Sequence, residues 1–95
     1  MATQTATPAS VPASTSSVEL FATVYPSQGG QSNGRAIFND STAVLYVLFG
    51  AGASTSTYTV QIGPGGYYEF PAPMYCGEVD GIWASATGNA RTTAW

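Results

Sequence analysis

From position 18 onward the chain reads as short alternating runs cut by turn formers. In "VELFATVY" the residues Val18, Leu20, Ala22 and Val24 recur at every second position, so on a strand they share one face. "PSQGGQSNG" breaks that run as a loop. "RAIFN" is predicted as a second short strand, ended by "NDST" as a tight turn. "AVLYVLFG" is apolar on both faces, the pattern of a central strand covered on both sides. "STYTVQI" alternates most cleanly, with Tyr58, Val60 and Ile62 on one side and Thr57, Thr59 and Gln61 on the other. "GPGG" is a turn signal, and the following "YYEF" puts Tyr68 and Phe70 on one face. After the proline-punctuated "PAPMYCG", the segments "EVDGIWASA" and "ARTTAW" are predicted to form a hairpin through "TGN". About seven short strands without helical periodicity predict an all-β fold, a small antiparallel β-sandwich or barrel.

The opening "MATQTATPASVPASTSS" has another texture: no aromatic, no charge, and Val11 as its one large aliphatic. Pro8 and Pro12 favour extended backbone and block helix. The chain therefore divides into an extended Ser/Thr/Ala/Pro-rich docking arm, residues 1–17, and a compact β domain, residues 18–95. Ordering such an arm costs about 1–2 kcal/mol per residue of backbone entropy. Contacts must offset that cost, either with other chains or by folding back over an exposed edge of its own domain. Docking on another chain is the favoured expectation. Pro8 and Pro12 restrict the free arm in advance, Val11 fills a shallow pocket, and Ser and Thr pair with a partner's backbone.

Composition sharpens this expectation. Ninety-five residues allow one domain, and Cys76 stands alone in a chain without histidine, so neither an intrachain disulfide nor a usual structural zinc site is available. Small scaffolds of this kind need another staple, and self-association or docking is the one left. Only 7% of residues are charged, lysine is absent, and Arg35 and Arg91 are the sole cations. Sheet edges in soluble monomers are commonly guarded by lysine, so the edges here must be closed or covered by another chain. The plainer reading is a low-charge monomer kept soluble by Ser, Thr and Gly. A net charge of −3 argues against nucleic acid. No signal peptide and no membrane span are expected, which points to synthesis in a cytoplasm.

Glu78 and Asp80 lie two apart, with Glu69 as a further neighbour, and on a strand they would share a face. That arrangement suits acid/base work or Ca²⁺, but with no histidine or lysine to complete a site a solvated strand start is the better reading. The hydroxyls lack an activating base, and Cys76 reads as a loop or buried thiol. "GAG" and "GPGG" lie between strands and are turn positions, not phosphate loops. The sequon "NDS" at Asn39 reads as a turn. Tyr46, Phe49, Tyr58, Tyr67, Tyr68, Tyr75, Trp83 and Trp95 suit a sugar platform less well than core packing or an interface. No catalytic, metal-binding or cofactor-binding residue is assigned.

The block "NGRAIFNDSTAVLYVLFGAGASTSTYTVQI", then "PGGYYEFP" and "GIWASATGNARTT", resembles small proteins encoded among tailed-phage structural genes, over residues 33–93. "FNDSTAVLYV", "PGGYYE" and "GIWASATGNAR" carry the likeness, and they are scaffold rather than a catalytic signature. The resemblance implies a virion component, a capsid decoration (cement) protein or a fibre-associated module; the arm lies outside it. The resulting expectation is a non-enzymatic protein of the virion, assembled in the host cytoplasm, that docks on the major capsid protein or another virion protein and stabilises the shell. It would form a small homo-oligomer, a trimer suiting a three-fold site, without nucleic acid, membrane or cofactor. Pro8, Val11, Pro12, Tyr67, Tyr68 and Trp95 are the expected partner-binding residues. The alternative is a receptor- or glycan-binding module of a fibre or tail; a small hydrolase ranks third.

Overall fold

The alternating runs become strands because each has one apolar face to bury, and two such sheets bury their faces against each other. The computed structural model describes residues 6–29 and 33–95. Along the chain the strands are β1 (Thr7–Pro12), β2 (Val18–Phe21), β3 (Arg35–Ser41), β4 (Leu45–Leu48), β5 (Val60–Ile62), β6 (Tyr67–Glu69), β7 (Val79–Trp83) and β8 (Gly88–Ala94). One sheet has the order β1-β8-β3-β6 and the other β2-β7-β4-β5. Every pairing is antiparallel. The chain changes sheet at every connection except the one from β4 to β5. This is the strand order of a double-sheet jelly roll, a sandwich rather than a closed barrel.

The core lies between the sheets. Ile37, Phe70 and Ala90 face Leu45, Val47, Ile62, Val79 and Trp83, with Leu20 and Phe21 closing one side. Gly81 on β7 permits that closure: a Cβ there would lie 2.8 Å from Leu20 Cδ1 and 3.0 Å from Leu45 Cδ1. Beside this core Phe49 stacks on Phe70 and on Tyr75, with ring centroids 4.7 and 5.1 Å apart.

Several local expectations change. "NDST" is not a tight turn: Asn39 and Asp40 lie inside β3, which runs on to Ser41. The expected final hairpin does not form, because β7 and β8 belong to different sheets and residues 84–87 carry the chain across the sandwich. Alternation in "VELFATVY" fails at a register shift between Glu19 and Phe21, so that Leu20 and Phe21 are both buried while Ala22 is exposed. Tyr58 precedes β5 and leaves the face of Ile62, packing instead against Tyr46 at 5.0 Å between centroids. Part of the proposed arm is a strand of the domain's own sheet: β1 pairs with β8 from Thr7 opposite Ala94 to Pro12 opposite Asn89. That is the fold-back arrangement, and the boundary drawn at position 18 runs through the sandwich.

The edges of a lysine-free sandwich are closed by other means. Ala13 N–H donates to Gly88 O at 2.9 Å, so odd-numbered residues of β1 turn their backbone groups toward β8. Pro8 and Pro12, of the other parity, face outward, where their missing N–H groups deprive an incoming strand of donors. β5 and β6 are three residues each, and β2 is bulged. Short, bulged and proline-bearing edges all resist strand addition.

Trp95 is held at the end of the β3–β8 ladder. Its N–H donates to Gly34 O at 3.0 Å, its carbonyl accepts from the N–H groups of Asn33 and Gly34, and its indole lies over Gly34 where any Cβ would collide with the ring. Gly34→Val is therefore expected to expel the indole and cost about 1–3 kcal/mol. Acrylamide quenching should rise, with the increment belonging to Trp95 because Trp83 is buried. Unchanged quenching and melting would contradict the contact.

Candidate interaction face

The strand period sorts the six expected partner-binding residues into two groups. Val11 turns inward and packs on the core, and Tyr68 joins Phe49 and Phe70 at 6.4 and 5.7 Å between centroids. Trp95 lies half-buried on Gly34. Pro8, Pro12 and Tyr67 instead share the outer face of the β1-β8-β3-β6 sheet, with Tyr67 62% exposed.

That face carries one register row across all four strands. Tyr67 of β6 lies opposite Phe38 of β3, Phe38 opposite Arg91 of β8, and Arg91 opposite Ser10 of β1. Phe38 is 38% exposed, so two large aromatic side chains stand next to each other in solvent. Polar groups frame them. Arg91 Nε donates to Asp40 Oδ2 at 3.0 Å, and the Tyr67 hydroxyl donates to Glu69 Oε1 at 3.3 Å. Desolvation, and then the charge and hydrogen bond of Glu69, hold the Tyr67 hydroxyl above its ordinary pKa. An exposed aromatic pair with an arginine beside it has the composition of a binding hot spot. Phe38 and Arg91 were missed from sequence, because their adjacency to Tyr67 comes from long-range pairing.

The carboxylates go elsewhere. Glu69 is on the outer face of one sheet, whereas Asp80 belongs to β7 of the other, so the expected neighbourhood of Glu69 with Glu78 and Asp80 does not form. Glu19 lies opposite Asp80 instead. Asp80 is only 7% exposed, and its Oδ2 accepts from Gly52 N–H at 2.9 Å and from the Ser17 hydroxyl at 3.2 Å. Ser17 Oγ in turn accepts from Ala53 N–H at 3.0 Å. Asp80 thus ties residues 51–53 and the start of β2 to β7. The Glu78 carboxyl is pushed up, first by its hydrogen bond with Asp80, then by desolvation and the charges of Asp80 and Glu19. Among the described residues no three His, Cys, Asp or Glu side chains are grouped as metal ligands.

Arg35 and Asn39 are buried as well, with Thr92. Arg35 is 1% exposed and spreads its guanidinium over backbone carbonyls: Nη1 donates to Tyr75 O and Gly77 O at 3.0 and 2.8 Å, Nη2 to Ala22 O at 2.8 Å. The cation also lies 4.8 Å from the Phe21 ring centroid. Asn39, fully buried, donates through Nδ2 to Ala43 O, Ile62 O and Gly63 O at 2.8, 2.9 and 3.1 Å. Its Oδ1 accepts from the Ser41 hydroxyl at 2.6 Å and from Trp83 Nε1 at 3.3 Å. The side chain is thereby fully used inside the sandwich, which removes it as a glycosylation acceptor. Cys76 is half-buried in the loop that Arg35 holds, its thiol donating to Met74 O at 3.5 Å.

No family model, curated protein or solved structure matches the chain.

Proposed function

We propose that this chain is a non-enzymatic structural protein of a virion, most specifically a capsid decoration protein that binds the shell in many copies. The observation that carries the reading is the exposed Tyr67–Phe38–Arg91 row on the outer face of the β1-β8-β3-β6 sheet. A flat sheet face with paired aromatics can bury area against a protein surface without any moving part. Ligands that bind only the assembled shell stabilise it by mass action, so a mechanical role needs no chemistry of its own. The jelly-roll strand order adds support by analogy, since this architecture recurs in viral capsid and lectin domains, although a fold never fixes a function. In this reading the docking surface is the sheet face to which β1 contributes Pro8, Ser10 and Pro12, and the partner is the major capsid protein or another virion protein.

The same aromatic pair supports a second reading, a glycan-binding module, because Phe38 and Tyr67 adjoin Glu69, Asp40 and Arg91 as hydrogen-bonding groups. One experiment separates the two. Wild type and a Phe38→Ser/Tyr67→Ser variant, both changes lying on the exposed face, are co-sedimented with shells stripped of this protein and separately titrated with oligosaccharides. The decoration reading expects high-copy binding to shells and at least about a 30-fold loss in the variant, the ~2 kcal/mol of one hot-spot aromatic. Sugar binding lost in the variant, with no shell binding by wild type, would favour the glycan module. Equal shell binding by both proteins would sink the proposed surface.

A further inference from the structure

We propose that β1 is an exchangeable strand, and that the edge of β8 it covers accepts the Thr7–Pro12 segment of a second copy of this chain. The inference stands apart from the capsid reading and needs no other partner.

It starts from how few side chains of β1 are buried. Among the described residues its only sheet neighbour is β8, and of its side chains only Val11 is half-buried and packed on the core; the others are exposed. Such single-sided edge strands belong to the low-stability end of a fold and open without global unfolding. Residues 15–17 after it are exposed. The chain is fixed again at Ser17, whose hydroxyl is held by Asp80 and Ala53 N–H, and before that at Ser14, whose carbonyl accepts from Trp83 N–H. Residues 15 and 16 are thus the natural hinge, and Ala13 and Ser14 exchange together with β1, taking with them their bonds to Gly88 O and Trp83 N–H.

The outward-facing prolines then select between two modes of self-association. Addition of a strand to the outside of β1 would meet Pro8 and Pro12, which have no N–H to offer. Exchange keeps those prolines outward and reproduces every β1–β8 pairing, now between chains, so the two arrangements differ only in the hinge and in chain entropy. Pro8 and Pro12 also restrict the free segment to extended backbone, which lowers the cost of re-ordering it on a neighbour. The hinge spans at most about 3.3–3.6 Å per residue, so donor and acceptor domains must sit side by side.

The test uses a cross-strand disulfide. Even-numbered residues of β1 occupy non-hydrogen-bonded positions, and Ser10 lies opposite Arg91. A Cα separation of about 4.5 Å there accepts a disulfide. In a Cys76→Ser background, full-length Ser10→Cys and Arg91→Cys proteins are mixed at high concentration and oxidised gently. A Ser10→Cys/Arg91→Cys chain is oxidised in parallel. Exchange predicts a covalent dimer from the mixture, with a 10–91 linked peptide by mass spectrometry, and covalent dimers from the doubly substituted chain that increase with concentration. The proposal is overturned if the doubly substituted chain closes only within itself at every concentration while the mixture gives no 10–91 link. Failure of both links to form would mean that β1 does not lie on β8, which overturns it equally.

Discussion

Replacing Asn39 by aspartate is expected to remove a large part of the protein's stability at neutral pH. The side chain sits where three carbonyls, those of Ala43, Ile62 and Gly63, converge on one amide nitrogen. Those partners belong to the crossing after β3, the end of β5 and the turn into β6, and Trp83 Nε1 reaches the same side chain from β7. The Asn39 backbone adds to this, donating to Gly66 O at 2.8 Å and accepting from Gly65 N–H at 2.9 Å. A carboxylate at this place would put a negative oxygen against three carbonyl oxygens in a fully buried position. Breaking such a buried network costs about 3–5 kcal/mol, against a total stability of about 5–10 kcal/mol for a chain of this size. The loss should depend on pH. Desolvation and the carbonyl dipoles would raise the pKa of the new acid in the fold above its unfolded value. The folded variant then binds more protons than the unfolded one, so its stability is greatest in acid and falls as pH rises through the folded pKa. Asn39→Ala should cost about 3 kcal/mol or more, from carbonyls and an indole N–H left unpaired, with no such pH dependence. Urea unfolding followed by tryptophan fluorescence measures both. Wild-type midpoints for either variant would refute the network.

Arg35→Met is the second large effect, and here two terms oppose each other. The guanidinium is buried without a carboxylate partner, and desolvation lowers its pKa from the ordinary value while Cys76 and Tyr75 act in the other direction. Removing the charge relieves that desolvation. It also strips donors from the carbonyls of Ala22, Tyr75 and Gly77, each worth about 1–3 kcal/mol when left unmade. The carbonyl side should win, with a net loss of about 2–4 kcal/mol. Much of the loss should be local, because Arg35 is what fastens residues 75–77 to β3. Cys76 reports on this directly: its reaction with a disulfide reagent should accelerate at least tenfold, about 1.4 kcal/mol of easier opening. Val24 N–H, bonded to Cys76 O at 2.9 Å, should exchange faster with solvent. Arg35→Lys should fall between wild type and Met near neutrality, since an ammonium cannot span carbonyls met by two separate nitrogens. Its folded pKa would be depressed by the same burial, so this variant should gain stability as pH rises toward the unfolded lysine pKa. A Cys76 rate unchanged in both variants would show that Arg35 does not fasten the loop.

What could be read in the sequence was what depends on near neighbours. "GPGG" does turn the chain, with Gly65 at φ +73° and Gly66 N–H donating to Gly63 O, and Tyr68 and Phe70 do turn to the same side. The all-β class followed from these local patterns. Sheet membership did not, because "TGN" looks the same whether it closes a hairpin or, as here, lies where the chain crosses between sheets and begins β8 at Gly88. The buried polar pair was legible in principle. Ile37 must face inward, and Arg35 and Asn39 share its parity, but a polar residue at an inward position reads as an error of phase until its partners are known. Tyr67 could have been separated from Tyr68 by the same parity. Phe38 could not have been joined to Tyr67, since that contact exists only because β6 happens to be the strand beside β3.

The position of β8 has a consequence for how the protein comes into being. It is last of the eight strands in chain order, yet it lies between β1 and β3 and is the only link between them. During synthesis β1, β3 and β6 emerge with β1 having no neighbour to join, and Val11 and Ile37 wait uncovered until residues 88–94 arrive. Assembly of that sheet is therefore deferred until residues 88–94 have been made, and the β1–β8 pairing, the longest in sequence separation among the described strands, sets its pace. A product cut short before β8 would leave the sides of β1 and β3 that face β8 unpaired. The fold thus distinguishes chains that carry β8 from chains that lack it.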